Sequence, residues 1–110
     1  MFYVRKRIML SCSHNLNLPY ETPCNNLHGH NYVIYIHCKS KELNENDMVV
    51  DFKEIKSKIH NKLDHQNLNE VLGFHPTAEN LSKWICEQIT NCYKVEVYET
   101  ENNLAVYEID

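Results

Sequence analysis

Glycine and proline are scarce: the 110 residues hold two of the first and three of the second. Long flexible linkers are thereby excluded. No run approaches the ~18 consecutive apolar residues of a membrane-spanning helix, so no membrane partner is expected. The start of the chain does not read as a secretory leader, because Arg5, Lys6 and Arg7 interrupt the apolar residues and Ile8–Leu10 is too short for a leader's apolar stretch. Excess positive charge is also absent. With 11 Lys plus Arg against 15 Asp plus Glu, the net charge is −4 at pH 7. That lacks the electrostatic footprint of a duplex nucleic-acid binder, and no nucleic-acid partner is expected. The five cysteines are an odd number with no export signal. Reduced thiols in a cytoplasmic protein are the expectation, not a disulfide scaffold. There is no internal repeat and no low-complexity tract beyond a general richness in Asn and Lys.

What is present is an ordinary globular composition, 43% apolar and 24% charged, which fits one domain over residues 1–110. Phe2, Val4, Ile8, Leu10, Cys12 and His14 share one parity, so residues 2–14 read as a strand with one buried face. Lys6 breaks that pattern and suggests a bulge. Residues 15–27, with Pro19, Pro23 and several Asn, read as a loop. His30 to Cys38 reads as a second strand, apolar on both sides. Phe52, Ile55, Ile59 and Leu63 form the stripe of an amphipathic helix with Asp51 as its N-cap and Glu54 as the acidic partner. Thr77 caps a second helix, whose buried stripe is Leu81, Trp84, Ile85 and Ile89. Tyr93, Val95 and Val97 then share one face of a third strand, and Leu104 to Ile109 returns as a fourth. Strand, strand, helix, helix, strand, strand is an α+β order, not the alternation of a doubly wound sheet.

Chemistry concentrates in the seven histidines. His28-Gly29-His30 opens the second strand, and residues i and i+2 of a strand face the same way, about 6–7 Å apart at Cα. Both imidazoles therefore reach one ion. Gly29 leaves the opposite face bare. If the first two strands form a hairpin, His14 falls beside them. Three neutral imidazoles with an open fourth position suit a catalytic zinc ion. His37, His60 and His75 have no such geometry and read as ordinary polar positions. Cys24 lies four residues before His28, and a thiol near a divalent cation ionises more easily. It is open as nucleophile, general base or a fourth, site-closing zinc ligand. Cys38, Cys86 and Cys92 read as small core residues, and Cys12, which shares a face with His14, as a packing residue or, second, a stray metal contact. Asp64-His65 reads either as an oriented acid/base pair or as a simple helix end. Glu99 continues the buried parity of its strand, where a carboxylate needs a partner: paired N–H donors of a ligand, or a structural ion pair.

Six stretches in order carry a resemblance over Ser11 to Tyr107: Ser11-Cys12-Ser13-His14, Cys24-x-x-x-His28-Gly29-His30-Asn31-Tyr32, Met48-Val49-Val50-Asp51-Phe52, Leu63-Asp64-His65-x-x-Leu68-Asn69, Pro76-Thr77-Ala78-Glu79-Asn80 and Val97-x-Glu99-Thr100. Together they resemble the 6-pyruvoyltetrahydropterin synthase family, and most closely its 6-carboxytetrahydropterin synthase (QueD-type) branch. The resemblance implies the tunnelling fold, a four-stranded antiparallel sheet with two helices inserted between strands two and three. It implies sheets that close a barrel, a homo-hexamer built from two trimers, and active sites at subunit interfaces. It implies Zn2+ held by His14, His28 and His30, proton transfer by Cys24, Asp64 and His65, and a pterin ring anchored on Glu99. Thr77 and Glu79 match a family motif that a helix cap also explains. The implied enzyme is a zinc-dependent carbon–carbon/carbon–oxygen lyase. It converts 7,8-dihydroneopterin triphosphate to 6-carboxy-5,6,7,8-tetrahydropterin, acetaldehyde and triphosphate, on the way to 7-deazaguanines such as queuosine.

Three residues between Cys24 and His28 match the QueD-type spacing. The pyruvoyl-forming synthase, which eliminates triphosphate from the same substrate, is the alternative within the family. A non-catalytic module with a structural Cys24/His28/His30/His14 zinc site is the alternative outside it. Cys12 departs from the family, whose members usually carry Ala there, and the resemblance assigns no residue to the triphosphate.

Overall fold

The computed structural model describes residues 1–110. Its frame is one antiparallel sheet in the order β1-β2-β3-β4, with β1 Phe2–His14, β2 His28–Ser40, β3 Cys92–Thr100 and β4 Asn103–Glu108. All α-helices lie between β2 and β3 in sequence. The first, α1 (52–63), runs through Phe52–Ile55, a π-helical turn at Lys56–His60 and Asn61–Leu63. A short helix, α2, spans Leu68–Val71, and α3 spans Ala78–Gln88. No helix is long and apolar enough to cross a membrane.

Alternation builds the sheet's inner face. Ile8, Leu10, Cys12 and His14 of β1 are buried, as are Tyr32, Ile34, Ile36 and Cys38 of β2, and Val95 and Val97 of β3. They meet Ile55, Ile59, Leu63, Leu81 and Ile85 from the helices in one apolar cluster. Both N-caps form, Asp51 accepting the Lys53 N–H and Thr77 the Asn80 N–H, but Glu54 does not close a capping box with Asp51, because its carboxylate is taken by Thr90. The short α2 had no apolar stripe to announce it. It is capped by Asn67 and tied to the end of β1 by Asn69, whose amide bonds both the N–H and the carbonyl of Asn15.

Three further sequence expectations are corrected. Lys6 sits at no bulge: the β1–β2 register runs unbroken from Phe2↔Ser40 to His14↔His28. Phe52 is 41% exposed, because it lies in the first turn of α1, beyond the buried stripe. Tyr93 is on the opposite face from Val95 and Val97. The β2–β3 register slips between His37 and Cys38, which leaves Tyr93 as the extra residue and swings its ring towards Tyr3 and His37.

Candidate metal centre and acid–base pair

The hairpin register places the histidines. His14 is the cross-strand partner of His28, and Cys12 is the partner of His30. The three rings lie edge to face, with centroids 4.7, 5.1 and 4.8 Å apart, and one nitrogen from each falls within 4.8 Å of the others. Backbone carbonyls fix their orientation. His14 Nδ1–H donates to Pro76 O at 2.8 Å, and His28 Nδ1–H donates to Asn26 O at 2.7 Å. A carbonyl only accepts, so each Nδ1 carries the proton and each Nε2 offers its lone pair. Those two Nε2 atoms face each other at 3.1 Å. His30 Nε2 is buried with no hydrogen-bond partner at all.

Converging lone pairs repel, and an orphaned buried nitrogen is costly. A cation shared by all three resolves both problems, and the all-nitrogen donor set suits zinc. Burial holds His30 below its ordinary pKa, aided by His14 and His28 and opposed by Glu99, so it is neutral as a metal ligand must be. Tyr32 lies fully buried beneath, with its hydroxyl 3.3 Å from His14 Nδ1. Burial raises its pKa, which keeps the phenol protonated.

Glu99 joins this cluster, 3.6 Å from His30 Nε2 and 3.9 Å from His14 Nε2. The β3–β4 register slips between Tyr98 and Thr100, so Glu99 is the extra residue of a bulge at the rim of the sheet. Glu99 lines a cavity together with Glu79 from the first turn of α3. Glu79, which the family motif and a helix cap both explain in the sequence, thus stands beside Glu99 as well as in the first turn of α3.

Asp64 and His65 sit beyond the open edge of β1. The Asp64 carboxylate accepts the Ser11 N–H at 2.9 Å and meets His65 Nδ1 at 2.9 Å. The His65 N–H in turn donates to Ser11 O at 2.7 Å. These bonds hold His65 in a left-handed backbone conformation (φ 61°) with its ring 79% exposed. It lines one open cavity with His30, so the acid–base pair faces the same end of the sheet as the histidine cluster. His60, read as an ordinary polar residue, also reaches Asp64, at 3.5 Å.

The Ser11 N–H, and then His65, hold the Asp64 carboxyl below its ordinary range. Its folded pKa is the lower one, so its stabilising contribution is complete above the unfolded value of about 4 and fades as pH falls through the folded value. Urea unfolding of wild type and Asp64→Asn is therefore expected to show a wild-type advantage that is constant at neutral pH. That advantage shrinks steadily below about pH 4. An advantage that grows in acid would contradict the assigned hydrogen bonds.

The cysteines divide cleanly. The buried Cys12 thiol donates to Leu63 O at 3.1 Å, and burial pushes its pKa up to about 11, so it packs the core as expected. Cys38, Cys86 and Cys92 are buried core thiols. Cys24 alone is exposed, in the 3₁₀ turn Pro23–Asn25 before β2, and its sulfur is not part of the histidine cluster. The single chain thus gathers His14, His28, His30 and Glu99 in one place, and Asp64 with His65 in another.

Comparison with known proteins matches this frame. Residues 3–110 match the family described as 6-pyruvoyl tetrahydropterin synthase, and the chain belongs to it. The family's members are pterin synthases, which are lyases. The 6-pyruvoyl tetrahydrobiopterin synthase of Dictyostelium discoideum is 40% identical over 97 residues, covering 76% of this chain and 72% of that one. The human protein of the same name is 32% identical, covering 96% and 90% of the two chains. The 6-carboxy-5,6,7,8-tetrahydropterin synthase of Bacillus subtilis is 27% identical, covering 96% and 84%. Among solved structures, 6-pyruvoyl tetrahydropterin synthase from Caenorhabditis elegans superposes with a TM-score of 0.77 over 99% of this chain and 96% of that one, at 24% identity. The fold is the tunnelling fold.

Proposed function

We propose that this protein is a zinc-dependent pterin synthase that eliminates triphosphate from 7,8-dihydroneopterin triphosphate in the cytoplasm. The observation that carries the reading is the convergence of three imidazole nitrogens, two face to face and one unpartnered, beside the Glu99 carboxylate. His14, His28 and His30 hold the ion, which supplies Lewis-acid polarisation of the substrate's side-chain hydroxyls. Glu99 receives the paired N–H donors of the pterin ring, a bidentate charge-assisted contact that fixes its orientation. Cys24 as thiolate removes a side-chain proton, and His65, held by Asp64, gives or takes the other.

The Cys24 sulfur stands outside the histidine cluster of its own chain, and His65 meets that cluster only across the open cavity it shares with His30, which supports a site completed by further copies. β4 and the part of β1 before Ser11 are outer edges of the sheet, and β4 exposes Leu104 and Val106. Such edges favour pairing with copies of the same chain, which supports closure into a barrel and a hexamer of two trimers.

For the product, the resemblance of the three-residue spacing between Cys24 and His28 to the QueD-type branch supports 6-carboxytetrahydropterin, formed with uptake of one water that supplies the second carboxyl oxygen and with release of acetaldehyde and triphosphate. A second reading, the 6-pyruvoyl product, is favoured by the names of the relatives at 40% and 32% identity. Incubating the zinc-loaded protein with dihydroneopterin triphosphate, and resolving pterins, acetaldehyde and triphosphate, tests both. Acetaldehyde in step with triphosphate is the expected result. Triphosphate without acetaldehyde selects the pyruvoyl form. Neither product from an assembled, zinc-replete protein rejects the enzyme.

A further inference from the structure

Lys6 occupies an inward position of β1, between Val4 and Ile8, and no bulge turns it out. Its ammonium stays 5.7 Å from the centre of the Phe52 ring, itself unexpectedly exposed. On α1, Lys53 stands in the first turn, where a positive charge opposes the helix dipole. Two local rules are broken at one place, and such places are where function is expected to override stability. Between them lies a surface cleft lined by Lys6, Arg7, Lys53, Lys56 and His60, with apolar walls that include Phe52. No acidic residue lines it.

Nothing on the chain neutralises these four cations. The carboxylates that take part in ion pairs are Glu54, Asp64, Glu96 and Glu99, and none pairs with Lys6, Arg7, Lys53 or Lys56. Asp51 is occupied by the Lys53 N–H at the cap. Glu54 turns away to the Thr90 N–H and hydroxyl and to Lys58. Four like charges around one cleft, in a chain of net charge −4, are left for an anion from outside. One end of the cleft is His60, 3.5 Å from the Asp64 oxygen that meets His65 at 2.9 Å. The cationic cleft therefore abuts the acid–base pair.

We infer that this cleft is a polyphosphate subsite. Its three lysines act as point charges, a set that suits a short, densely charged phosphate chain better than an acidic peptide with its charges spread out. The owner of the phosphates is the pterin substrate's triphosphate, an assignment that rests on the pterin-synthase reading. A free polyphosphate offers the same chemistry.

Calorimetric titration of the full zinc-loaded protein with inorganic tripolyphosphate tests the cleft without turnover. Lys53 and Lys56 are exposed, so the double variant Lys53→Ala/Lys56→Ala folds. It is expected to weaken tripolyphosphate binding at least ~10-fold, while Lys83→Ala on α3 leaves it unchanged. For dihydroneopterin triphosphate, the double variant is expected to raise KM ~10-fold with kcat within about threefold, because both charges act on binding and not on the reacting atoms. Weakened tripolyphosphate with an unchanged KM keeps the polyphosphate site and gives it to a free ligand. Unchanged tripolyphosphate binding in the double variant, or equal competition by polyglutamate, overturns the inference. Loss of turnover in wild type with intact tripolyphosphate binding rejects the enzyme reading and leaves the cleft standing.

Discussion

Cys24→Ala is expected to retain as much zinc as wild type and to turn over the proposed pterin substrate about 10²–10⁴-fold more slowly, the usual contribution of a positioned proton-transfer group. The separation of the two effects follows from geometry. The histidine cluster closes on itself without the Cys24 sulfur. The cysteine's backbone is held independently of its side chain: its carbonyl accepts the Leu16 N–H at 2.8 Å, and its N–H donates to the Thr22 hydroxyl at 3.3 Å. Removing an exposed sulfur from a turn fixed in this way leaves stability within about 0.5 kcal/mol. Metal analysis and initial rates on the same preparation measure both halves. Loss of zinc together with activity would make Cys24 a ligand, and the protein a closed structural zinc module.

The strands were legible because alternation is a local signal. The parity of Ile8, Leu10, Cys12 and His14 survives intact in the burial of β1. His28-Gly29-His30 was legible for the same reason, and the hairpin register then had to bring His14 opposite His28. The caps at Asp51 and Thr77 were equally local. What escaped depends on shifts in register or on distant partners. The slip at His37/Cys38 reverses Tyr93, and no residue type announces it. The π-helical turn at Lys56–His60 had no signal in the sequence, although the His60–Asp64 contact that follows it has ordinary i,i+4 helical spacing. The tautomer of His14 is set by the carbonyl of Pro76, 62 residues away. Lys6 was visible as a violation of pattern, but its meaning required Lys53 and Lys56 to be placed across the cleft from it.

The histidine cluster makes the other large prediction. His28→Ala removes the nitrogen that faces His14 Nε2 at 3.1 Å and leaves two imidazoles with Glu99. Zinc content is expected to fall from about one equivalent per chain to a small fraction of that after dialysis, and turnover to fall with it. Thermal unfolding separates this from misfolding. In wild type, free zinc at about 100-fold above its dissociation constant is expected to add about 2.7 kcal/mol, a rise on the order of 10 °C for a chain of this size. In His28→Ala that rise disappears. In chelator the difference is expected to close. The metal-free wild type bears two opposed lone pairs and an orphaned His30 nitrogen, whereas the variant relieves the first of these and gives up its bond to Asn26 O. The metal-free variant is therefore expected to lie within about 1 kcal/mol of metal-free wild type. A variant that keeps both its zinc and its zinc-dependent rise in melting temperature would show that the three rings converge without serving an ion, and the assignment of the site would fail with it.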